Sequence, residues 1–234
     1  MTLQRGTVVT DEGVAVPAYL AEVYWWAYMH PRAVKLFERQ WLVNLILWGN
    51  FGRLRDAALH AMGGGSCGRM LQVACVYGDL TPRLVQCLAP GATLDVVDVL
   101  PIQLANLARK LPPGAAVDLH HADAANLPAT NSTYDRVLVF FLLHEQPEAV
   151  RRATLAEATR VLKPGGKLVV VDYHRPSRAQ PLRALMRPLL ARLEPFALDL
   201  WRSEIRRWMP SSPRLRMRKT LFCGGLYQML ECWR

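Results

Sequence analysis

Between residues 70 and 171 short apolar runs alternate with stretches of helical period. Met70–Val76, Thr93–Val97, Val117–His121, Arg136–Leu142 and Leu168–Val171 read as strands, and Leu80–Leu88, Pro101–Leu111 and Pro147–Leu162 read as the helices between them. Strands and helices alternating at this spacing imply right-handed crossovers and a mainly parallel, doubly wound α/β sheet. Lys163-Pro-Gly-Gly166 is expected to end the long helix in a sharp turn. The tail, Met217–Phe222 and Tyr227–Trp233 around Cys223-Gly-Gly225, has the pattern of an antiparallel hairpin.

The flanks differ in character. Residues 17–60 look helical and are crowded with aromatic side chains, and Pro31 suits the first turn of a helix over about 32–48. Gly63-Gly-Gly-Ser-Cys-Gly68 divides the chain into an N-terminal helical cap (1–62) and an α/β domain (63–234). That domain carries a basic amphipathic insertion over 175–216. In it Leu182, Leu185, Met186, Leu189, Leu190 and Leu193 fall on one helical stripe, with Pro188 expected to kink or split the helix. Trp201, Ile205 and Trp208 repeat the pattern beside Arg202, Arg206 and Arg207. The leucine stripe could instead pack on the sheet, but the two tryptophans set among arginines suit a lipid interface and tilt the reading that way.

Composition narrows the class. A chain of 234 residues, 51% hydrophobic and 21% charged, is a folded domain with a sizeable core. The net charge of +10 is uneven: residues 175–219 hold twelve basic side chains against Glu194, Asp199 and Glu204. That concentration points to an anionic membrane surface, nucleic acid or an anionic ligand, and no recognised nucleic-acid module accompanies it. Five scattered cysteines without a paired spacing fit reduced thiols. The first thirteen residues have neither an apolar signal core nor a transit pattern, so export is not indicated, and no apolar run has the length of a membrane span.

The candidate chemistry sits at strand ends. Ala74, Cys75, Tyr77, Gly78 and Asp79 form the turn after the first strand of the series, where doubly wound folds bind nucleotides. Asp98, followed by Val99, ends the next strand about 20 residues further on, where a carboxylate accepts hydrogen bonds from ribose hydroxyls. Asp123 and Ala124 follow the third strand within reach of an adenine amino group, and Phe140 ends the fourth. His144 and Glu145 stand at the mouth of that strand, as catalytic candidates with Tyr77 or as a solvated helix-start pair. Asp172 and His174, two apart, could be metal ligands or polar rim residues.

In order, this turn, Asp98, Asp123, Asp135-Arg-Val-Leu-Val-Phe-Phe141 and Arg160-Val-Leu-Lys-Pro-Gly-Gly-Lys-Leu168 resemble the class I S-adenosylmethionine-dependent methyltransferases, especially those acting on ubiquinone and menaquinone precursors. The resemblance covers roughly residues 65–175 and the terminal hairpin. The acidic residue and paired glycines of that family's first motif correspond here to Gln72, Cys75 and Val76, with Tyr77 in place of a small residue. Val73-Ala-Cys-Val-Tyr-Gly-Asp79, with Pro17-Ala-Tyr-Leu20, Tyr24-Trp-Trp-Ala-Tyr28, Ile46-Leu-Trp-Gly-Asn50 and Phe140-Phe-Leu-Leu-His-Glu145, resembles the RquA family of rhodoquinone biosynthesis proteins. That resemblance implies exchange of a ubiquinone ring methoxy group for an amino group, with S-adenosylmethionine as amino donor and Mn2+ as activator. It also implies a peripheral position on the cytoplasmic side of the bacterial inner membrane. The alternatives are a quinone or phenol methyltransferase with an altered motif, and a non-catalytic lipid- or nucleic-acid-binding protein.

Overall fold

The computed structural model describes residues 8–10, 14–63, 68–211 and 215–234. The thirteen-residue leader, most of the glycine connector and Cys67 lie largely or wholly outside them. The described chain begins with β1 (Val8–Thr10), then α1 (Ala18–Val23), α2 (Trp25–Tyr28), α3 (Pro31–Phe37), α4 (Gln40–Ile46) and α5 (Phe51–Met62). The alternating series follows: β2 (Arg69–Val73), α6 (Leu80–Gln86), β3 (Thr93–Asp98), α7 (Pro101–Ala108), β4 (Val117–His121), β5 (Tyr134–Phe140), α8 (Glu148–Arg160) and β6 (Leu162–Tyr173). Then come α9 (Leu182–Leu193), α10 (Asp199–Arg202), β7 (Arg216–Phe222) and β8 (Tyr227–Trp233).

The strands form one eight-stranded sheet in the order β1-β4-β3-β2-β5-β6-β8-β7. Pairing is parallel from β1 to β6, and β8 runs antiparallel to both β6 and β7. Strand order reverses direction between β2 and β5, which creates a crevice beyond their carboxyl ends. The central strands are continuously apolar because helices cover both faces of a parallel sheet; in β3 every residue after Thr93 is buried. Helix α5 packs on β5 and β6 through buried Leu54, Ala58 and Met62, so it shares the sheet's core.

Several boundaries differ from the sequence expectation. β2 stops at Val73 because Ala74 takes a left-handed φ of 72°, which breaks the extended run. One helix over 32–48 becomes two, separated at Glu38 and Arg39, because the Glu38 carboxylate turns inward to the amide of Gly78 and to Asn106 and Lys110. Lys163–Gly166 does not close a helix. It lies inside β6 as a register slip against β5, and Gly166 sits so close to the Lys163 and Asp135 carbonyls that a Cβ would clash. Helix α9 runs unbroken through Pro188, and the carbonyl left without an amide belongs to exposed Ala184. Trp201 and Trp208 are buried, the second beneath the Arg151 guanidinium at 4.3 Å, so they are core residues and not an interfacial pair. The strand β1 adds an edge that the sequence pattern did not signal.

Candidate active site

A cavity of about 490 Å³ opens at the crevice between β2 and β5. Its floor is the ends of β2, β3 and β5, and its roof is α1 to α4 and α9. On the floor the backbone is strained: Ala74 and Phe141, at the ends of neighbouring strands, both have positive φ, 72° and 51°. Non-glycine residues in that region cost on the order of 1 to 3 kcal/mol each and collect at functional sites.

Asp98 is buried against the floor and takes the Cys75 amide on one oxygen at 2.7 Å and the Leu100 amide on the other at 2.8 Å. Burial raises its pKa to about 6, against the pull of these two amides. Asp123 accepts the Ala125 amide at 2.8 Å. Ala74, Cys75, Tyr77, Val99, Ala124 and Phe140 border the same space. The sequence-derived binding set therefore converges, with two exceptions.

Asp79 does not face the cavity: Arg55 from α5 and Arg83 from α6 hold it at 2.7 and 2.5 Å, and these pairs keep its carboxyl below the usual range despite partial burial. Gly78 is likewise turned away. Its amide goes to Glu38 at 3.1 Å, its carbonyl takes Lys110 at 2.9 Å, and the Phe51 ring occupies the place of its missing Cβ. Gln72, standing where the resemblance would put a carboxylate, is buried, neutral and fully engaged, bonded to the Ala74 carbonyl and the Thr81 hydroxyl. Tyr77 lies between the rings of Tyr28 and Phe37, with centroids at 5.8 and 5.9 Å. Its hydroxyl donates to the Ala27 carbonyl at 2.8 Å and receives Gln103 at 2.8 Å, tying cap to α7.

At the opposite end of the cavity four ionisable side chains meet. His144 and Glu145 lie on a short 3-10 turn (Leu143–Glu145) whose amides bond to Asp172 on β6. His144 Nδ1 stands 3.1 Å from Asp172, and its Nε2 lies 3.6 Å from Glu145 and 3.9 Å from Glu194. Tyr28 donates its phenolic hydrogen to Glu145. Burial alone would lower the His144 pKa, but Asp172, Glu194 and Glu145 outweigh it and raise it to about 9. Burial, with the negative charges of Glu194 and Asp172, pushes Glu145 up to about 8, and burial also raises Glu194. The result is an imidazolium among carboxyl groups, of which Glu145 is poised to hold or release a proton near neutrality. They are buried, so the solvated helix-start reading of His144 and Glu145 does not hold.

Sequence reasoning missed Glu194, Tyr28 and Glu38. Glu194 directly follows the apolar stripe of α9, a position that would have suggested a residue at the end of a covering helix.

Of the two readings of Asp172 and His174, metal ligands or polar rim residues, the first does not fit. Asp172 gives its oxygens to the amides of Leu143, His144 and Tyr173, while His174 bonds to the Gly225 carbonyl beside Glu204. The two do not converge, and among the described residues no group of three His, Cys, Asp or Glu side chains could hold a metal ion.

A methyltransferase domain family model matches residues 70–166. An uncharacterized methyltransferase of Synechocystis is 28% identical over 208 residues, covering 88% of this chain and 93% of that protein. The demethylmenaquinone methyltransferase of Staphylococcus saprophyticus is 31% identical over 136 residues, 58% of each chain, so the likeness spans little more than half of that enzyme. Among solved structures, the mitomycin 7-O-methyltransferase MmcR superposes with a TM-score of 0.66 at 18% identity, over 92% of this chain and 61% of that one. A SAM-dependent methyltransferase from Aquifex aeolicus gives 0.53 at 16%, over 87% and 97%.

Proposed function

We propose that this chain, which has the Rossmann-like α/β fold of the class I S-adenosylmethionine-dependent methyltransferases, binds S-adenosylmethionine and exchanges a methoxy group on a polyprenyl benzoquinone for an amino group. The observation that carries this reading is the altered turn after β2. In a methyl transfer the cofactor's amino group is an anchor, held by a carboxylate beside a glycine-rich turn. Here Gln72 is neutral and already bonded, and Tyr77 fills the turn. An amino group left without that anchor is free to act as a nucleophile.

Asp98 takes the ribose hydroxyls, and Asp123 with Ala124 receives the adenine. The quinone ring lies against the polar end of the cavity, its tail along the apolar roof. His144, held cationic by Asp172, hydrogen-bonds the ring oxygen and draws electron density from the carbon bearing the methoxy group. As the carbon–nitrogen bond forms, Glu145 accepts a proton from the nitrogen. The carbon–oxygen bond to methoxide then breaks, and the proton passes to it as methanol is lost. The exchange at the ring is redox-neutral, and so is the release of the nitrogen: a proton leaves the carbon next to the donor's α-carbon, a carbon–carbon double bond forms there as the carbon–nitrogen bond breaks, and the nitrogen takes up the proton. Tyr77, its hydroxyl bonded on both sides, serves as a positioning residue that holds the cap on the turn.

Methyl transfer to a quinone or phenol is the second reading, favoured by the likeness to the demethylmenaquinone methyltransferase. Incubation of the purified protein with ubiquinone and S-adenosylmethionine labelled at its amino nitrogen separates the two. Amination gives a lighter quinone carrying the label. Methyl transfer gives S-adenosylhomocysteine and, from a hydroxylated quinone, a heavier unlabelled product.

A further inference from the structure

The roof of the cavity has an outer surface that no part of the described chain covers. On α4, Trp41 is 59% exposed and Leu45 62%, with Ile46 beside them; on α9, Leu185 is 54% exposed and continues through Leu189 and Leu193 at helical spacing. Leu36 of α3 and Trp26 of α2 are exposed as well. The two stripes are neighbours, since the Trp48 indole N–H just past α4 meets the Met186 sulfur of α9. Ile46, Leu36, Leu189 and Leu193 also line the cavity, so the apolar interior and the apolar exterior form one continuous surface at its mouth.

The charges on these helices have a single sign facing out. Arg32, Lys35 and Arg39 on and after α3, and Arg187 and Arg192 on α9, are exposed, and none is paired with a carboxylate among the described residues. The acids of the same segments, Glu38 and Glu194, are turned inward. Such a surface suits an anionic bilayer: apolar side chains enter the acyl boundary, and each cation near the headgroups contributes on the order of 1 kcal/mol. A second copy of the chain would bring the same positive ring against itself. Among the described residues no helix is long and apolar enough to cross a membrane.

We infer that the outer face of α2, α3, α4 and α9 docks on an anionic lipid bilayer, with the cavity mouth opening directly into the acyl layer. The proposal rests on the polyprenyl quinone reading for its purpose, but it is read without substrate. It also relocates the membrane contact away from Arg202, Arg206 and Arg207, whose neighbouring tryptophans are buried.

The test is flotation of the purified chain with vesicles of zwitterionic lipid, alone and with about one-third anionic lipid. The parent is expected to float with the anionic vesicles and to detach in high salt. Leu45→Glu with Leu185→Glu, both at exposed positions and checked for an unchanged melting transition, should weaken binding at least about tenfold. Arg202→Gln/Arg206→Gln/Arg207→Gln should leave it within about twofold. The inference is overturned if the leucine variant binds as well as the parent or if the arginine variant alone loses binding. It is also overturned if the parent ignores vesicles and self-associates through the same leucines. Vesicle binding without quinone conversion would sink the proposed reaction and leave the docking face standing.

Discussion

His144 Nδ1 lies 3.1 Å from Asp172 Oδ1, and Asp172 also accepts the amides of Leu143 and His144. One buried carboxylate therefore both shapes the turn and fixes the imidazole's charge. The His144 pKa rises from 6.5 to about 9 and that of Glu145 from 4.5 to about 8. Both groups bind protons more tightly folded than unfolded. Their contribution to stability is complete below the unfolded values and is lost as pH rises through the folded ones, a window from about 4.5 to about 9.

Glu145→Gln removes a carboxyl whose ionisation opposes folding. It should be more stable than the parent above pH about 8, by about 1 to 3 kcal/mol, and indistinguishable near pH about 4. Chemical denaturation across this range reads the difference. A constant offset at every pH would mean that Glu145 titrates at the same pKa folded and unfolded, so that burial does not raise it.

Asp98 gives a prediction with the opposite slope. Its carboxylate, with a pKa raised to about 6, is the form that accepts ribose hydroxyls. Affinity for S-adenosylmethionine should fall as pH drops through about 6, and Asp98→Asn should weaken it by about 1.5 to 3 kcal/mol. Calorimetry at two pH values tests both. Unchanged affinity in the variant removes the assigned ribose site.

Asp98 and Asp79 mark how far the sequence could be read. Asp98 was legible because a strand end fixes where its side chain points, and β4 and the terminal hairpin were legible for the same local reason. Asp79 was not: its partner Arg55 lies in a helix 24 residues earlier, and no local pattern pairs them. The break between α3 and α4 depends on Glu38 reaching Gly78, and Trp208 is covered by Arg151 from a helix far earlier in the chain. Each is set by a contact between distant segments. The leucine stripe of α9 was visible as a stripe, but not which of its leucines would be left exposed.

The Arg55 to Asp79 pair is structural, and its loss should separate stability from binding. Arg55 is buried, so Asp79→Ala leaves a guanidinium with Asp56 as its remaining acidic partner. A loss of about 2 to 4 kcal/mol in folding is expected. Affinity for S-adenosylmethionine, measured on the folded fraction below the melting transition, should change by less than about threefold. A large loss of affinity with little loss of stability would return Asp79 to the binding set.

Glu194 carries the sharpest test of the polar end. It approaches His144 Nε2 at 3.9 Å from the end of α9, and one of its oxygens is buried without a hydrogen-bond partner. A purely structural residue there would be replaced by glutamine with a change in stability and no change in the shape of the pH profile. If the carboxylate helps hold the imidazole protonated, Glu194→Gln removes one of the three charges that raise the His144 pKa. The high-pH limb of quinone conversion should then move to lower pH by about one unit, since a unit corresponds to about 1.4 kcal/mol of charge interaction at this separation. Nitrogen NMR of the His144 ring gives the same quantity without turnover, so the two measurements must move together. A stability change with the titration unmoved would make Glu194 a cap of α9 and nothing more.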